Sequence, residues 1–197
     1  MWGVRRDGTR IGGSSCYAHA GFTLTEVIVV IAVIGVISAF ALPAVSSYFS
    51  ACCVKAAIWE ISGMYKEAKQ RALIDDKYYA VGFDPLTGRV SLIADKGKDG
   101  TWNTADDTVV RSFNLQEKGG NVHFGYGSCG PIPGLANAAD GISFPNNNTA
   151  ICNPNLTGNA GTVYLTSTSG VAMALTVNSE DFGSTIYRWN GKKWVKM

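Results

Sequence analysis

Histidine is nearly absent from this 197-residue chain, which contains only His19 and His123. A site built on paired histidines would need both, and no serine or cysteine is placed by the sequence as a partner for His123. Charged residues make up only 16%, against roughly 25% in typical soluble domains, so part of the chain is not expected to face water. The net charge of +2 excludes a generally basic nucleic-acid-binding protein. Catalysis has no support in this composition, and we expect no enzyme.

No charged residue occurs between Val27 and Val54, a run of 28 positions. A membrane span needs about 20 mostly apolar residues, whereas the apolar part of a cleaved secretory signal has about 7–15. Three arginines and a single acid occupy the first ten residues, and such an excess of positive charge keeps an N-terminus in the cytoplasm. The sequence therefore predicts one membrane-spanning helix with a cytoplasmic N-terminus.

A carboxylate, Glu26, immediately precedes this run. An unpaired charge at that place costs free energy in lipid, so its presence indicates a function. It ends the sequence Gly21-Phe22-Thr23-Leu24-Thr25-Glu26, and this hexapeptide followed by an apolar helix resembles the type IV pilin and pseudopilin class. The resemblance implies that a prepilin peptidase cuts after Gly21 and that the new N-terminal residue, Phe22, is methylated. Residues 1–21 are then a leader peptide.

Glu26 acquires a role once the leader has been removed. Cleavage would leave a positive amine on Phe22 in the membrane or in a packed helical bundle, and such a charge needs an opposite partner. We expect Glu26 of one subunit to neutralise the amine of its neighbour and so to fix the axial register of an assembly. The alternative is an intramolecular pair between Glu26 and its own amine, without a role in assembly.

The helix is expected to continue past the charge-free run and to end near Asp75. Its second half has apolar residues at steps of 4, 3, 4, 3 and 4, which is the pattern of an amphipathic helix. These residues are Val54, Ile58, Ile61, Tyr65, Ala68 and Ala72. Short strands and turns follow without crossover helices, so the sheet should be antiparallel. The expected strands are Tyr78–Phe83, Arg89–Ala94, Thr108–Leu115, Val122–Phe124, Ile142–Phe144, Thr162–Ser167, Val171–Val177, Ser184–Trp189 and Lys193–Val195.

The predicted fold class is therefore α+β. A long N-terminal helix, with a transmembrane half and an amphipathic half, packs on an antiparallel β-sheet head. The predicted domains are the leader at 1–21, the transmembrane and assembly half of the helix at 22–53, and the amphipathic half with the head at 54–197.

Stretches of the head resemble the GspH/FimT family of minor pseudopilins. They are Val81–Val90 (VGFDPLTGRV), Gly141–Phe144, Gly161–Leu165 and Tyr187–Trp194. The resemblance implies a low-abundance subunit that helps to start assembly of a type II secretion pseudopilus or a type IV pilus. It further implies contacts with other pilins and pseudopilins through the N-terminal helix. The head would then be periplasmic and the anchor would lie in the bacterial inner membrane, with the chain in the filament after assembly.

Four of the five cysteines follow the leader. Cys129 and Cys152 bracket a loop of 22 residues rich in proline, asparagine and glycine. A disulfide there would stabilise the fold by about 3 kcal/mol in the chain-entropy model, and a periplasmic head permits one. We therefore expect a Cys129–Cys152 disulfide. Cys52 and Cys53 are adjacent on the helix and are expected to be small packing residues.

The loop from Asp95 to Asp107 is a candidate calcium site, because side-chain oxygens recur along it with Gly100 at a turn. The candidate ligands are Asp95, Asp99, Asn103 and Asp106. The loop departs from an EF-hand, since no helix precedes it and its last ligand is not a glutamate. We favour the alternative of a solvated connection between strands, stiffened by Trp102.

A basic cluster near the C-terminus is a candidate DNA-binding site, because basic residues interleaved with aromatics can hold phosphates and stack bases. It comprises Arg188, Lys192, Lys193 and Lys196, with Trp189 and Trp194 between them. The chain after residue 21 has equal numbers of basic and acidic residues, so any binding would be weak and salt-dependent. We favour a terminal hairpin whose lysines prevent edge pairing, and nucleic acid is the less favoured partner.

Overall fold

The computed structural model describes residues 21–179 and 183–197, with the backbone alone at residues 41–44. The chain divides into two units, residues 1–42 and residues 43–197, and each is described by itself. Helix α1, Leu24–Asp75, contributes its first part to the first unit and its second part to the second. The observed helix agrees with the predicted one to within two residues at its N-terminal end.

In the first unit, every described side chain of the helix up to Phe40 is exposed. The residues from Val27 to Ile37 are almost all large and aliphatic, so this segment presents apolar surface on all sides. Water is a poor solvent for such a surface, and burial in lipid or against other helices would stabilise it.

The second unit is the head, in which nine strands lie within the described residues. They are β1 Tyr79–Asp84, β2 Arg89–Asp95, β3 Thr108–Asn114, β4 His123–Phe124, β5 Thr149–Cys152, β6 Gly161–Thr166, β7 Ala172–Val177, β8 Ser184–Trp189 and β9 Trp194–Lys196.

The strands form two sheets, where the sequence had suggested one. The first sheet has the order β3-β2-β1-β5 and the second has the order β4-β6-β7-β8-β9. All neighbouring strands are antiparallel, which confirms the predicted fold class. The predicted strand at Ile142–Phe144 is reduced to a single bridge between Ile142 and Val163. A strand that was not predicted, β5, completes the first sheet beside β1.

The amphipathic half of α1 lies on a core shared by both sheets. All six residues of its predicted apolar stripe are at most 2% exposed, which confirms the stripe. They pack in one cluster with residues of the first sheet, such as Phe83 and Leu92, and of the second sheet, such as Leu165 and Leu175. Burying a side chain of this size stabilises the fold by about 1.5–3 kcal/mol, so the helix and the sheets depend on each other.

Two ion pairs and one close backbone approach connect the helix to the rest of the head. Glu67 binds Arg111 of the edge strand β3 at 3.0 Å, and Glu60 pairs with Lys118 just after that strand. At the other end, Gly120 approaches the helix so closely that an added Cβ would lie 2.9 Å from the Cβ of Cys53. Gly120 also has a positive φ of 64°, which favours glycine.

Candidate functional site

The predicted cleavage site lies in an exposed segment just before the helix. Gly21, Phe22 and Thr23 precede the first helical residue, and Phe22 is 85% exposed. No described atom lies within 4 Å of the place where a Cβ on Gly21 would be. Within the described residues, the Gly21–Phe22 bond is therefore exposed and lies outside the helix.

Glu26 takes part in a capping box at the start of α1. The Thr23 hydroxyl accepts a hydrogen bond from the Glu26 backbone N–H at 3.2 Å. In return, the Glu26 carboxylate accepts bonds from the Thr23 backbone N–H and from the Thr23 hydroxyl, each at 3.2 Å. These reciprocal bonds satisfy backbone N–H groups that the first turn of a helix leaves without partners.

The capping box adds a partner that the sequence analysis missed, namely Thr23. The spacing Thr23-x-x-Glu26 is the signature of a capping box and was readable in the sequence. Both residues lie after the predicted cut, so cleavage leaves the box intact. The carboxylate already reaches the residue next to Phe22, so the intramolecular alternative for Glu26 stays open beside the intersubunit one.

The predicted span was compared with the length and composition that a membrane crossing requires. Within the described part of the chain, no single helix meets that requirement. The segments Leu24–Phe40 and Val45–Asp75 meet it when they are taken together, by length and composition.

The expected Cys129–Cys152 disulfide is not formed, and both cysteines are free. Cys152 is the last residue of β5 and its side chain belongs to the core cluster beneath α1. Burial raises the pKa of its thiol to about 12 and outweighs the opposing effect of the positive charge of Lys69. Cys129 lies elsewhere, with its Sγ 3.9 Å from the carbonyl oxygen of Gly170. The prediction was wrong because the fold buries Cys152 in the core and places Cys129 beside Gly170.

The predicted calcium ligands do not converge. Asn103 turns its amide away from the acids and donates to the carbonyl oxygens of Phe83 and Asn147, each at 3.1 Å. Asp106 accepts bonds from the Lys98 N–H at 2.7 Å and from the Thr104 hydroxyl at 2.8 Å. Within residues 21–179 and 183–197, no three His, Cys, Asp or Glu side chains could together hold a metal ion.

Acidic side chains of this loop accept hydrogen bonds from the loop's own backbone N–H groups. The hydroxyl of Thr104 and the N–H groups of Lys98 and Asp99 hold the pKa of Asp106 below its usual range. Asp99 accepts a bond from the Thr101 N–H at 2.7 Å, and Asp95 ends strand β2. The four residues do not fit a calcium ion, and the loop is a hydrogen-bonded connection. Trp102 anchors it by packing with Ala80 and Ile93, as the favoured alternative required.

The basic residues near the C-terminus do not form one surface. Arg188 is opposite Val195 and Tyr187 is opposite Lys196 in the β8–β9 pair. Opposed residues share a face and successive residues alternate, so Arg188 and Lys196 point to opposite faces. Lys192 and Lys193 are exposed in the connecting loop.

The tryptophans of this hairpin are engaged in packing. Trp194 contacts Trp189 and Tyr164 with ring centroids 5.7 Å apart in each case. Its indole N–H donates to the carbonyl oxygen of Gly130 at 3.1 Å. Trp194 is thus held against the head and is not a free platform for base stacking, and the arrangement does not favour DNA binding.

The N-terminal region matches a known family of sequence motifs. A family model described as the prokaryotic N-terminal methylation motif matches residues 17–42. The chain carries the prepilin-type methylation motif. This finding confirms the resemblance to type IV pilin-like proteins, and it covers Gly21, Phe22, Thr23 and Glu26 together. Prepilin-type motifs imply membrane anchoring by the helix that follows.

Relatives of known description agree with the motif. Two proteins named "Fimbrial protein" from Pseudomonas aeruginosa are 31% and 30% identical to this chain over alignments of 100 positions, which cover 43% of this chain. The chain spans 64% of the length of these relatives. Among solved structures, the minor pseudopilin EpsH from the type 2 secretion system of Vibrio cholerae is similar, with a TM-score of 0.45 and 11% identity. That similarity covers 68% of this chain and 94% of EpsH.

Proposed function

We propose that this chain is a minor pseudopilin of the GspH/FimT type. It is cleaved by a prepilin peptidase between Gly21 and Phe22 and methylated on Phe22. It then enters or primes a type II secretion pseudopilus or a type IV pilus. The observation that carries this proposal is the methylation motif at residues 17–42, placed directly before an exposed apolar helix.

The burial pattern supports a subunit whose N-terminal helical segment assembles with other helices and whose C-terminal part forms a folded head. The helix has exposed apolar residues as far as Phe49, and its burial in the head begins at Ser50. We therefore assign residues 22–53 to the membrane and to helix packing, and residues 54–197 to the head. The leader, residues 1–21, keeps its arginines in the cytoplasm, so that the head is exported to the periplasm.

Glu26 has two functions in this proposal. Before cleavage it caps the helix through Thr23. After cleavage the same carboxylate neutralises the new amine of a neighbouring subunit, because a charge removed from water is stable only beside an opposite charge. Other pilins or pseudopilins are thus the partners of the helix, and the inner membrane holds the subunit until it is assembled.

The experiment that tests this proposal measures cleavage. The full chain is expressed in a bacterial membrane with and without a prepilin peptidase, and the two products are separated by mass. We expect loss of residues 1–21 only when the peptidase is present.

The variant Gly21→Val should remain uncut. It should still fold, since nothing lies within 4 Å of the new side chain. Gly35→Val is the matched control, because Gly35 has equally open surroundings, and it should be cut normally. A wild-type chain left uncut by the active peptidase, or Gly21→Val cut as well as wild type, would overturn the proposal.

A further inference from the structure

A cavity of about 720 Å³ lies at one end of the first sheet, beside the residues that follow helix α1. Small-molecule sites in proteins have volumes of about 300–1,000 Å³ and combine aromatic walls with a few polar groups. The residues that line this cavity fall between Asp76 and Asn153, all within the second unit. The cavity therefore belongs to the head alone and has the size of a ligand site.

Trp102 lines this cavity, and its indole N–H has no partner in the part of the chain that the structure describes. The side chain is only 9% exposed. An indole N–H can only donate, and a buried one usually finds an acceptor. Its nitrogen is not fully enclosed by protein atoms, so a ligand in the cavity can supply the missing acceptor.

The position of Trp102 is fixed before any ligand arrives. Its side chain packs with Ala80 and Ile93 of the first sheet. The amide of Asn147 donates to the carbonyl oxygens of Trp102 at 3.2 Å and of Asn103 at 2.9 Å, and Asn103 donates back to Asn147 at 3.1 Å. A wall that is already in place reduces the entropy lost on binding.

A row of polar residues crosses the end of the first sheet along the cavity. Asp95 is opposite Thr108 in the β2–β3 pair. In the β1–β5 pair, Tyr78 directly precedes β1 and Asn153 directly follows β5, so the antiparallel register brings these two together. All four line the cavity. Strands lie about 4.8 Å apart, so a row across four strands spans about 14 Å.

Most of these polar groups are open to a ligand. The side chains of Tyr78, Asp95 and Thr108 make no hydrogen bond to any other described residue. Asn153 donates its amide N–H to the Thr157 hydroxyl at 2.8 Å, and its side-chain oxygen remains as an acceptor. The row thus offers both donors and acceptors to one ligand.

The charges around the cavity cancel. The charged residues that line it are two acids and two lysines, namely Asp76, Asp95, Lys77 and Lys96. A charged ligand of either sign would meet a like charge, whereas a neutral ligand avoids that repulsion. Tyr78, which is 56% exposed, adds an accessible aromatic ring to this electrically balanced lining.

We propose that this cavity binds a neutral oligosaccharide. The C–H groups of a sugar ring pack against an aromatic ring, and the sugar hydroxyls both donate and accept hydrogen bonds. Tyr78 supplies the ring, the indole of Trp102 supplies a donor, and Asp95 supplies an acceptor. The polar row is longer than one sugar ring and suits two or more linked sugars. The site consists of residues after Asp75, so this proposal goes beyond the assembly function and does not depend on it.

The test measures saccharide binding by the full chain in detergent micelles. The detergent is lauryldimethylamine oxide, because a detergent with a sugar headgroup would compete. Cellotriose, maltotriose and tri-N-acetylglucosamine are titrated separately by calorimetry, with trigalacturonic acid as the charged comparison and indole as the free aromatic ring. We expect at least one neutral trisaccharide to bind with a Kd of about 1 mM or tighter, and both comparison compounds to bind more weakly.

Two variants assign the binding to the cavity. Trp102→Phe removes the indole N–H but keeps a ring against Ala80 and Ile93, and Tyr78→Ala removes the exposed ring. Each should weaken binding about three- to tenfold, and the double variant at least about tenfold. Trp59→Phe is the matched control, because Trp59 is a half-exposed indole of the head outside this cavity, and it should leave binding unchanged.

Tyr78→Ala changes an exposed residue, so it keeps the proposal testable even if Trp102→Phe alters the loop. The proposal would be overturned if none of the three neutral trisaccharides binds at about 10 mM. Tighter binding of indole or trigalacturonic acid, or equal binding by wild type and Tyr78→Ala, would also overturn it. A chain that is cleaved by the peptidase but binds no saccharide contradicts the saccharide site alone. A chain that binds saccharide but is never cleaved contradicts the proposed function alone.

Discussion

Replacing Glu26 by glutamine separates its charge from its role as a helix cap. Glutamine can keep the capping box, since its amide oxygen accepts the Thr23 N–H as the carboxylate does. It cannot neutralise an amine. Thr23→Ala does the reverse, because it removes the hydroxyl that accepts the Glu26 N–H and leaves the charge in place.

The two roles differ in magnitude. Loss of an N-cap costs about 1 kcal/mol, which is about fivefold in an equilibrium. Loss of one partner from a buried ion pair costs about 3–5 kcal/mol, which is about 10²–10⁴-fold. If Glu26 neutralises a neighbour's amine, Glu26→Gln should therefore be almost as damaging as Glu26→Ala, while Thr23→Ala should be mild.

The assay is the ratio of cleaved chain in sheared filaments to cleaved chain in the membrane, measured by quantitative immunoblot. We expect cleavage in all three variants, incorporation reduced at least about a hundredfold for both Glu26 variants, and at most about fivefold for Thr23→Ala. The reasoning would be refuted by Glu26→Gln entering filaments normally while Thr23→Ala does not. That outcome would assign Glu26 to capping alone.

Four further predictions concern the second unit of the chain. Ile61→Ala should lower the free energy of unfolding by about 2–5 kcal/mol, because Ile61 is fully buried on the side of α1 that faces the sheets; thermal unfolding measures this. Maleimide should label Cys52 in the native chain and Cys152 only after unfolding. Because the raised pKa of Cys152 keeps its thiol neutral in the folded state, stability should fall as the pH rises from about 9 towards 12, the range in which only the unfolded chain loses that proton. Calcium should not change the unfolding temperature, since Asp106 is occupied by the loop's own donors.

The predictions on stability, labelling and calcium each have a control or an outcome that would contradict them. Lys66→Ala, on the exposed side of the same helix, should change stability by less than about 0.5 kcal/mol, and a loss equal to that of Ile61→Ala would contradict the assigned helix faces. Native labelling of Cys152, or a mass that shows it oxidised to Cys129, would contradict the free buried thiol. An increase in unfolding temperature with calcium that disappears in Asp106→Asn would restore the calcium hypothesis.

The helix could be predicted closely from the sequence because its signals are local. The charge-free run, the helical spacing of the apolar residues and the acidic residues at the C-terminal end of the helix are each visible in a short stretch of sequence. The six-residue stripe from Val54 to Ala72 was predicted and is buried as expected.

The division of the head into two sheets could not be predicted, because it depends on contacts between residues that are distant in the sequence. β5 pairs with β1, with Tyr79 opposite Cys152, and no local pattern encodes that partner. This pairing also turns Cys152 into the core and so prevents the expected disulfide. In the same way, the acidic loop has the composition of a calcium site, but the side chain of Asn103 donates a hydrogen bond to the carbonyl oxygen of Asn147. That residue lies 44 positions later in the sequence, so no local pattern indicates the contact.

The most direct test of the central claim is the N-terminal sequence of this chain recovered from purified filaments, determined by mass spectrometry. The account predicts a chain that begins at Phe22 and carries one methyl group on its amine. A chain in filaments that begins before Gly21, or its complete absence from filaments in cells whose membranes contain it, would contradict the account.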